Sequence, residues 1–582
     1  MDFDLVIIGA GWHGLVSAKT YLEVNPGARV LILEKSPTIG GVWARHRLYP
    51  GLKTNNMLGT YEASDFPMTT HDFGVKPGEH IPGDVVHEYL KKYAEKFDIL
   101  KLCRFGENVT TAEKLDNKGW RLTVETSSSG DRIVSTAKLV VATGLTSEPF
   151  LPAFVGAADF AAPIIHCGHL LEQSEALFAD AKNVVVFGGT KSAWDAAYAF
   201  ATRGIHVDWV IRESGHGPCW MAPPYVTPLK KWLEKLVTTR FLTWLSPCVW
   251  GDADGFKAAR GFLHGTAIGR AITRAFWGIL GSDVVALNGY DKHPETAKLK
   301  PWVDAFWIAA GLSILNYPTN FFDLVKEGKI SVHIGEIDFL SAKTVHLSST
   351  QQAAPDTEPA KTLHADALIC STGWKFHPPM TFTDRSGSAI DTQLGLPHHS
   401  PEAEADDPAL KQADAEIFAR FPMLKDQPKL NPKLKPLAAE TKDLNRGFSL
   451  YRFMVPPALI HDRTIVFNGM LTTICTPMVA QAQALWLTAY LSGKLRAEDP
   501  DQVARETVLH ARFGRWRYPG GFGARYPDFV FDAVPYIDLL LADVGLSGRR
   551  KGGIVAECFH PYGPEDYRGL VQEWLQKEND MA

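Results

Sequence analysis

Residues 5–35 read LVIIGAGWHGLVSAKTYLEVNPGARVLILEK. The apolar run Leu5–Ile8 suits a buried parallel strand, and the turn Gly9-x-Gly11-x-x-Gly14 follows at once. A helical pattern then runs from Leu15 to Glu23, and a second apolar run from Val30 ends on Glu34. Together these parts form the βαβ dinucleotide fingerprint in its full context. Gly9 permits the tight turn, Gly11 lets the backbone approach a pyrophosphate, and Gly14 allows close helix–strand packing. The helix start at Trp12 and His13 offers free N–H groups and partial positive charge to phosphates. Glu34 can accept hydrogen bonds from a ribose diol and would repel a 2′-phosphate, so the expected ligand is FAD or NAD.

A second copy of the layout occupies 182–215: strand Val184–Phe187, a glycine turn, helix Ser192–Thr202 and strand Val207–Ile211. Its turn is Gly188-Gly189-Thr190-Lys191-Ser192-Ala193. Thr190 replaces the glycine of closest phosphate approach, Ala193 replaces the third glycine, and Arg212 stands where the first copy has its acid. An arginine there can pair with a 2′-phosphate, which points to NADPH; a solvated Arg212 on a nucleotide-free repeat is the alternative. The first copy is then left to hold FAD. Leu139–Gly144 (LVVATG) and Ala367–Gly373 (ALICSTG) each read as a late strand returning to one of the two sheets, the second ending on Thr372-Gly373 near the cofactor.

The expected fold is therefore α/β with two Rossmann-like dinucleotide-binding domains. The FAD domain is discontinuous, 1–155 and 440–500, and the NADPH domain, 165–375, is inserted in it. A tryptophan-rich helical insertion spans 214–315, a polar, proline-rich excursion with an acidic run at Glu402–Asp407 spans 376–439, and a C-terminal extension spans 501–582. The tryptophans are expected as packing in a helical cap, with a lid over an apolar channel or shallow membrane contact as alternatives. The chain of 582 residues has a net charge of −5, which gives no reason to expect nucleic acid or an anionic membrane as partner. Seven scattered cysteines without CxxC or zinc-type spacing suggest reduced thiols in a cytoplasmic protein and argue against a dithiol flavoreductase. No secretory signal, spanning segment or metal site is expected; His398-His399 lacks nearby cysteines.

Five further motifs occur in order: Gly40-Gly41-Val42-Trp43, Tyr49-Pro50-Gly51-Leu52-Lys53-Thr54-Asn55-Asn56, Ser64-Asp65-Phe66-Pro67-Met68, the second glycine turn, and Thr476-Pro477-Met478-Val479-Ala480-Gln481. With the first glycine turn, this series resembles the flavin-containing monooxygenases, and within them the fungal biosynthetic, secondary-metabolism branch. The resemblance implies that NADPH reduces FAD, that O2 forms a flavin C4a-hydroperoxide, and that one oxygen atom enters a substrate. It implies flavin contacts from Gly41, Val42, Trp43, Thr54 and Gln481, and a catalytic asparagine at Asn55, with Asn56 as substitute and Lys53 as a source of positive charge. Without the resemblance, Thr54-Asn55-Asn56 reads as a turn or cap.

Two departures qualify this reading. The family stretch F-x-G-x-x-x-H-x-x-x-aromatic survives only as Phe160, Ala162, His166 and Leu170, and His166 is expected as a hydrogen-bonded linker residue. Baeyer–Villiger relatives carry an arginine and an aspartate where this chain has Lys53 and Asn55. A neutral asparagine suits a protonated, electrophilic oxidant, so hydroxylation, epoxidation or heteroatom oxidation of a bulky, mostly apolar natural-product intermediate is expected. A Baeyer–Villiger monooxygenase, an FAD-dependent oxidase or dehydrogenase, and a non-enzymatic flavin-bound partner protein are the alternatives.

Overall fold

The computed structural model describes residues 1–581 except 117–118, 127–129, 309–310, 349–360, 401–405, 436, 438–445, 496–498 and 520–521. Leu5–Ile8 is a fully buried strand at the centre of a five-stranded parallel sheet. The order across that sheet is Ile465–Phe467, Leu139–Val141, Leu5–Ile8, Val30–Glu34, Cys103–Phe105. Leu5 registers with Val30, Val6 with Leu139, and Leu139 with Ile465, so a strand from late in the chain completes the sheet begun by the first. The continuous apolar runs have this cause: both faces of a parallel sheet are covered, here by Trp12–Val24 among other elements.

The second sheet repeats the plan. Its parallel order is Ile164–His166, Leu368–Cys370, Asn183–Phe187, His206–Ile211, Ile330–Ile334, with helix Lys191–Ala201 as the crossover. In each sheet the strand ending in Thr-Gly lies beside the strand that enters the glycine turn. The chain passes between the two units twice, and the passages pair: Glu148–Pro149 runs antiparallel to Trp374–Lys375.

Helix Thr476–Leu491 is buried on nearly every side, with only Thr476 and Gln481 partly open. A helix apolar all round belongs in a core, and this one packs against Trp12–Val24 and against Ala533–Asp543 of the C-terminal extension. Insertion 214–315 joins the same core. Trp220, Trp244, Trp250, Trp277 and Trp307 are at least nine-tenths buried, whereas Trp232 is half-buried and Trp302 is exposed. The insertion also carries two small ribbons, Trp220–Ala222 beside Leu312–Ile314 and Tyr225–Val226 against Lys231–Trp232. A buried charge cluster ties it to the C-terminal extension: Arg240 binds Asp538 and Glu557, and Arg260 binds Asp254 at 2.6 Å.

The expected polar excursion at 376–439 is corrected by the structure. Thr381–Thr383 adds a parallel edge to the sheet of Glu107–Leu115, Gly119–Thr126 and Arg132–Thr136. Helix Pro408–Arg420 packs on Pro500–Arg517, burying Ala413 and Ile417, and Phe421 and Leu424 follow into the core. These apolar residues recur at helical spacing among charged neighbours, so average composition concealed them. Of the acidic run, 402–405 lie outside the described residues, while Asp407 caps the helix by accepting from Ala409 N–H at 2.9 Å.

Candidate active site

Both glycine turns are held by the strand that returns beside them. Gly9 has φ +108°, and a Cβ there would lie 2.5 Å from the Ala142 carbonyl oxygen; Gly188, at φ +128°, would meet Ser371 in the same way at 2.3 Å. A Cβ on Gly14 would stand 1.9 Å from the Gly9 oxygen, whereas its counterpart in the second turn, Ala193, is accommodated and fully buried. Neither following helix has a side-chain cap, since Gly11 and Thr190 occupy the cap positions without bonding inward. Two uncapped helix starts at the ends of parallel strands are fit to receive phosphates.

Glu34 is buried at the end of its strand and accepts from Ala10 N–H and Ser36 N–H, both at 2.8 Å. It thereby holds the glycine turn and retains lone pairs for a diol. In the loops that follow the strands of this first sheet, Thr38 Oγ1, His46 Nδ1, Thr143 Oγ1 and Ser147 Oγ are buried without a partner among the described residues. Buried polar atoms are ordinarily paired, so these orphans fit a large polar ligand such as a dinucleotide. His13 packs beside Gly469, and burial lowers its pKa to about 4, which keeps it neutral. Gly41 (φ +60°) lies against Gly11, Val42 is exposed, and Trp43 donates to Tyr61 at 2.9 Å. Gln481 is bound at both ends of its amide to Ser64, at 3.1 and 2.8 Å.

The strand Lys53–Met57 alternates its contacts. Thr54 is buried and bonds back to Ile81. Asn55 Oδ1 accepts from Ser313 Oγ at 2.9 Å and Ile314 N–H at 3.3 Å. A backbone N–H can only donate, so this bond fixes the amide orientation and leaves the Asn55 NH2 directed away from the ribbon. Asn56 points elsewhere, donating to Glu234 and to the Ile474 carbonyl. Lys53 lines a cleft of about 510 Å³ with Met57, Phe73, His80, Tyr225 and Tyr317. Asn55 thus faces the Leu312–Ile314 ribbon and its substitute Asn56 faces Glu234, while Lys53, two residues before Asn55, lines the cleft with Leu315 and Asn316, which follow that ribbon.

At the second turn, Thr190 is exposed and Ser192 half-buried. Lys191 does not extend freely; its ammonium pairs with Asp195 and donates to Asn316 Oδ1 at 3.0 Å. Arg212 donates to the Lys435 carbonyl at 2.8 Å, and burial lowers its pKa. Thr372 donates to the Phe150 carbonyl, and Gly373 O accepts from His166 Nε2 at 2.9 Å. With His166 Nδ1 accepting from Gly168 N–H and its pKa lowered to about 4 by burial, His166 is a neutral linker residue, as expected.

Several residues were missed from sequence. Tyr49 and Tyr317 both donate to buried Asp195 at 2.8 Å, and Asn316 donates to the carbonyls of Lys53 and Thr54, so the second helix is latched to the strand of Asn55. Arg47, largely buried, bonds the Thr146 carbonyl and lies 4.7 Å over the Trp374 ring at the crossing between units. Its position between two recognised motifs was the available signal. Glu234, in the insertion, had none. Among the described residues, no cluster of His, Cys, Asp and Glu can hold a metal, and no helix is long and apolar enough to cross a membrane.

A family model described as pyridine nucleotide-disulphide oxidoreductase matches residues 6–241. All seven cysteines are free thiols, so the match does not extend to a disulfide centre. The chain is 33% identical to the FAD-dependent monooxygenase resA of Aspergillus sclerotiorum, across 99% of this chain and 98% of the relative. It is likewise 33% identical to the FAD-dependent monooxygenase rstn6 of Aspergillus nomiae, across 98% of each. Among solved structures, the open form of cyclohexanone monooxygenase matches with a TM-score of 0.60 at 16% identity, covering 93% of this chain and 97% of that one, which shows a shared fold.

Proposed function

Because the chain belongs to the FAD-dependent monooxygenases, we propose that FAD sits on its first unit, that NADPH binds the second as electron donor, and that one atom of O2 passes by way of a flavin C4a-hydroperoxide to a bulky, largely apolar natural-product intermediate. FAD on the first unit is supported by Glu34 and the orphaned polar atoms. NADPH on the second is supported by the uncapped helix at Thr190 and by Arg212, whose guanidinium donates to the Lys435 carbonyl, feels the Glu336 carboxylate nearby and keeps further donors for a 2′-phosphate.

The bound flavin supplies the activation of O2, and the chain supplies position, hydrogen bonds and exclusion of water. The observation that carries the reading is Asn55. Its Oδ1 is committed to Ser313 and Ile314, so its NH2 acts as a donor of fixed direction, and a preoriented neutral donor stabilises an oxygen-bearing group without deprotonating it. That suits electrophilic oxygen transfer and therefore hydroxylation, epoxidation or heteroatom oxidation. The open cleft beside Lys53 has the volume of a small-molecule site, and its lining is mixed, with Met57, Phe73 and Val85 beside Glu79, His80 and Asn316.

Anaerobic mixing with NADPH tests the assignment. The flavin bleaches within seconds if NADPH is the donor, and a flavin that stays oxidised refutes it. Asn55→Ala should leave this reduction intact and divert the reducing equivalents to H2O2; unchanged coupling in that variant removes Asn55 from the account.

A further inference from the structure

Glu234 belongs to no motif, yet it is the most heavily engaged carboxylate beside the strand of Asn55. It lies on the short helix Leu233–Val237 and is nearly inaccessible. It accepts from Met57 N–H at 2.9 Å, Thr60 Oγ1 at 3.0 Å and Trp232 Nε1 at 2.7 Å, and from the Asn56 amide. The three bonds to 56–60 grip the strand immediately after Asn55, while Ser313, Ile314 and Asn316 hold Asn55 and the residues before it. Asn56, Met57 and Trp232 can only donate, so both oxygens of Glu234 must accept, whereas the Thr60 hydroxyl, 2.9 Å from the Met57 carbonyl as well, can donate to Glu234 or accept from it.

We propose that Glu234 is a positioning residue for oxygen transfer: its carboxyl group fixes the strand that presents Asn55, and losing one of its acceptor sites lets that strand relax so that oxygen leaves as hydrogen peroxide. The proposal rests on the reading of Asn55 given above. The diverted reaction balances as NADPH + H⁺ + O2 → NADP⁺ + H2O2. Glu234 also borders a cavity of about 20 Å³, room for one water. The other titratable groups lining that cavity are Lys235 on its own helix, Cys475 across it, and Tyr562 and Glu565 of the C-terminal extension. Burial raises the pKa of Glu234 to about 7, above the 4.5 of an exposed glutamate, so protonation favours the closed arrangement and the grip loosens as pH rises through about 7.

The test uses the full-length FAD-loaded protein as wild type, Glu234→Gln and Glu234→Asp. Hydrogen exchange of residues 53–60 is read without NADPH, corrected for intrinsic pH dependence, and H2O2 released per NADPH consumed is read between about pH 6 and 9. Glu234→Gln puts an NH2 donor against other donors, so exchange there should rise about tenfold and peroxide release should be high and independent of pH. Wild type should exchange slowly and leak little below neutrality, with both rising as pH rises through about 7, and Glu234→Asp should recover part of the wild-type behaviour. Wild-type exchange and a wild-type pH profile in Glu234→Gln overturn the proposal. If that variant does not fold, a wild-type protein whose exchange at 53–60 is flat across neutrality overturns it. Should wild type release all its oxygen as peroxide at every pH, the Asn55 reading fails, while exchange still decides the role of Glu234.

Discussion

Replacing Gly14 by alanine puts one methyl group where the structure has no room. Its Cβ would lie 1.9 Å from the Gly9 carbonyl oxygen and 3.1 Å from the carbonyl carbon, where ordinary contact begins near 3.4 Å. The helix start must therefore move by about 1.5 Å, or the turn must open by as much. Helix Trp12–Val24 is not free to slide, because it is packed along the buried helix Thr476–Leu491. Overpacking of this kind costs about 1–3 kcal/mol. The same displacement carries the helix N–H groups away from the phosphates, and losing one hydrogen bond to a charged group costs about 1.5–3 kcal/mol. FAD binding should then weaken by roughly 10- to 100-fold. Titrating apoprotein with FAD and following flavin fluorescence measures it, with thermal melting as the check on folding. Ala193→Gly is the control: the second turn already holds a Cβ at the matching place, so that change should cost only the helix penalty of about 0.5–1 kcal/mol and leave FAD affinity alone. Gly14→Ala binding FAD within about threefold of wild type refutes the close-packing argument.

Arg212→Glu should raise the KM for NADPH by about 30- to 100-fold while changing that for NADH little, since only the phosphate ester meets the new charge; equal loss for both coenzymes contradicts the assignment. Arg240→Ala leaves Asp538 and Glu557 buried without their cation and should destabilise the protein by about 3–5 kcal/mol in denaturant melts; a loss below about 1 kcal/mol would show the cluster to be dispensable. Burial raises the pKa of Asp532 to about 6, above its unfolded value of 3.8. The stability it contributes is complete below the unfolded value and is lost as pH rises through about 6. Asp532→Asn should therefore show a flatter melting temperature than wild type between about pH 4.5 and 7.5, and parallel curves would contradict that.

The parts of this protein legible in its sequence are those whose signal is local. Each βαβ unit writes strand, turn and helix within about thirty residues, so both sheets followed from periodicity and glycine placement. The strand Ile465–Phe467 is only three residues long, and the resemblance in the following helix, not its own pattern, drew attention to its neighbourhood. Helix Pro408–Arg420 was hidden because it buries a narrow apolar stripe under a charged surface. Glu234 was invisible for a different reason: its partners lie 174 to 178 positions earlier in the chain, and a lone glutamate in a helical insertion ordinarily means a solvated surface. The choice between Asn55 and Asn56 could not be made from sequence alone, because successive residues of a strand face opposite ways and only the fold shows which partners each one meets.

The claim that oxygen is transferred, and not merely reduced, is tested most directly with isotopic O2. The FAD-loaded enzyme, supplied with NADPH and a fraction of candidate natural-product intermediates under 18O2, should yield a product carrying a single 18O atom, absent when the reaction is run in H2(18)O under ordinary O2. Product without label, with all consumed O2 recovered as labelled hydrogen peroxide across every fraction tried, would contradict the account.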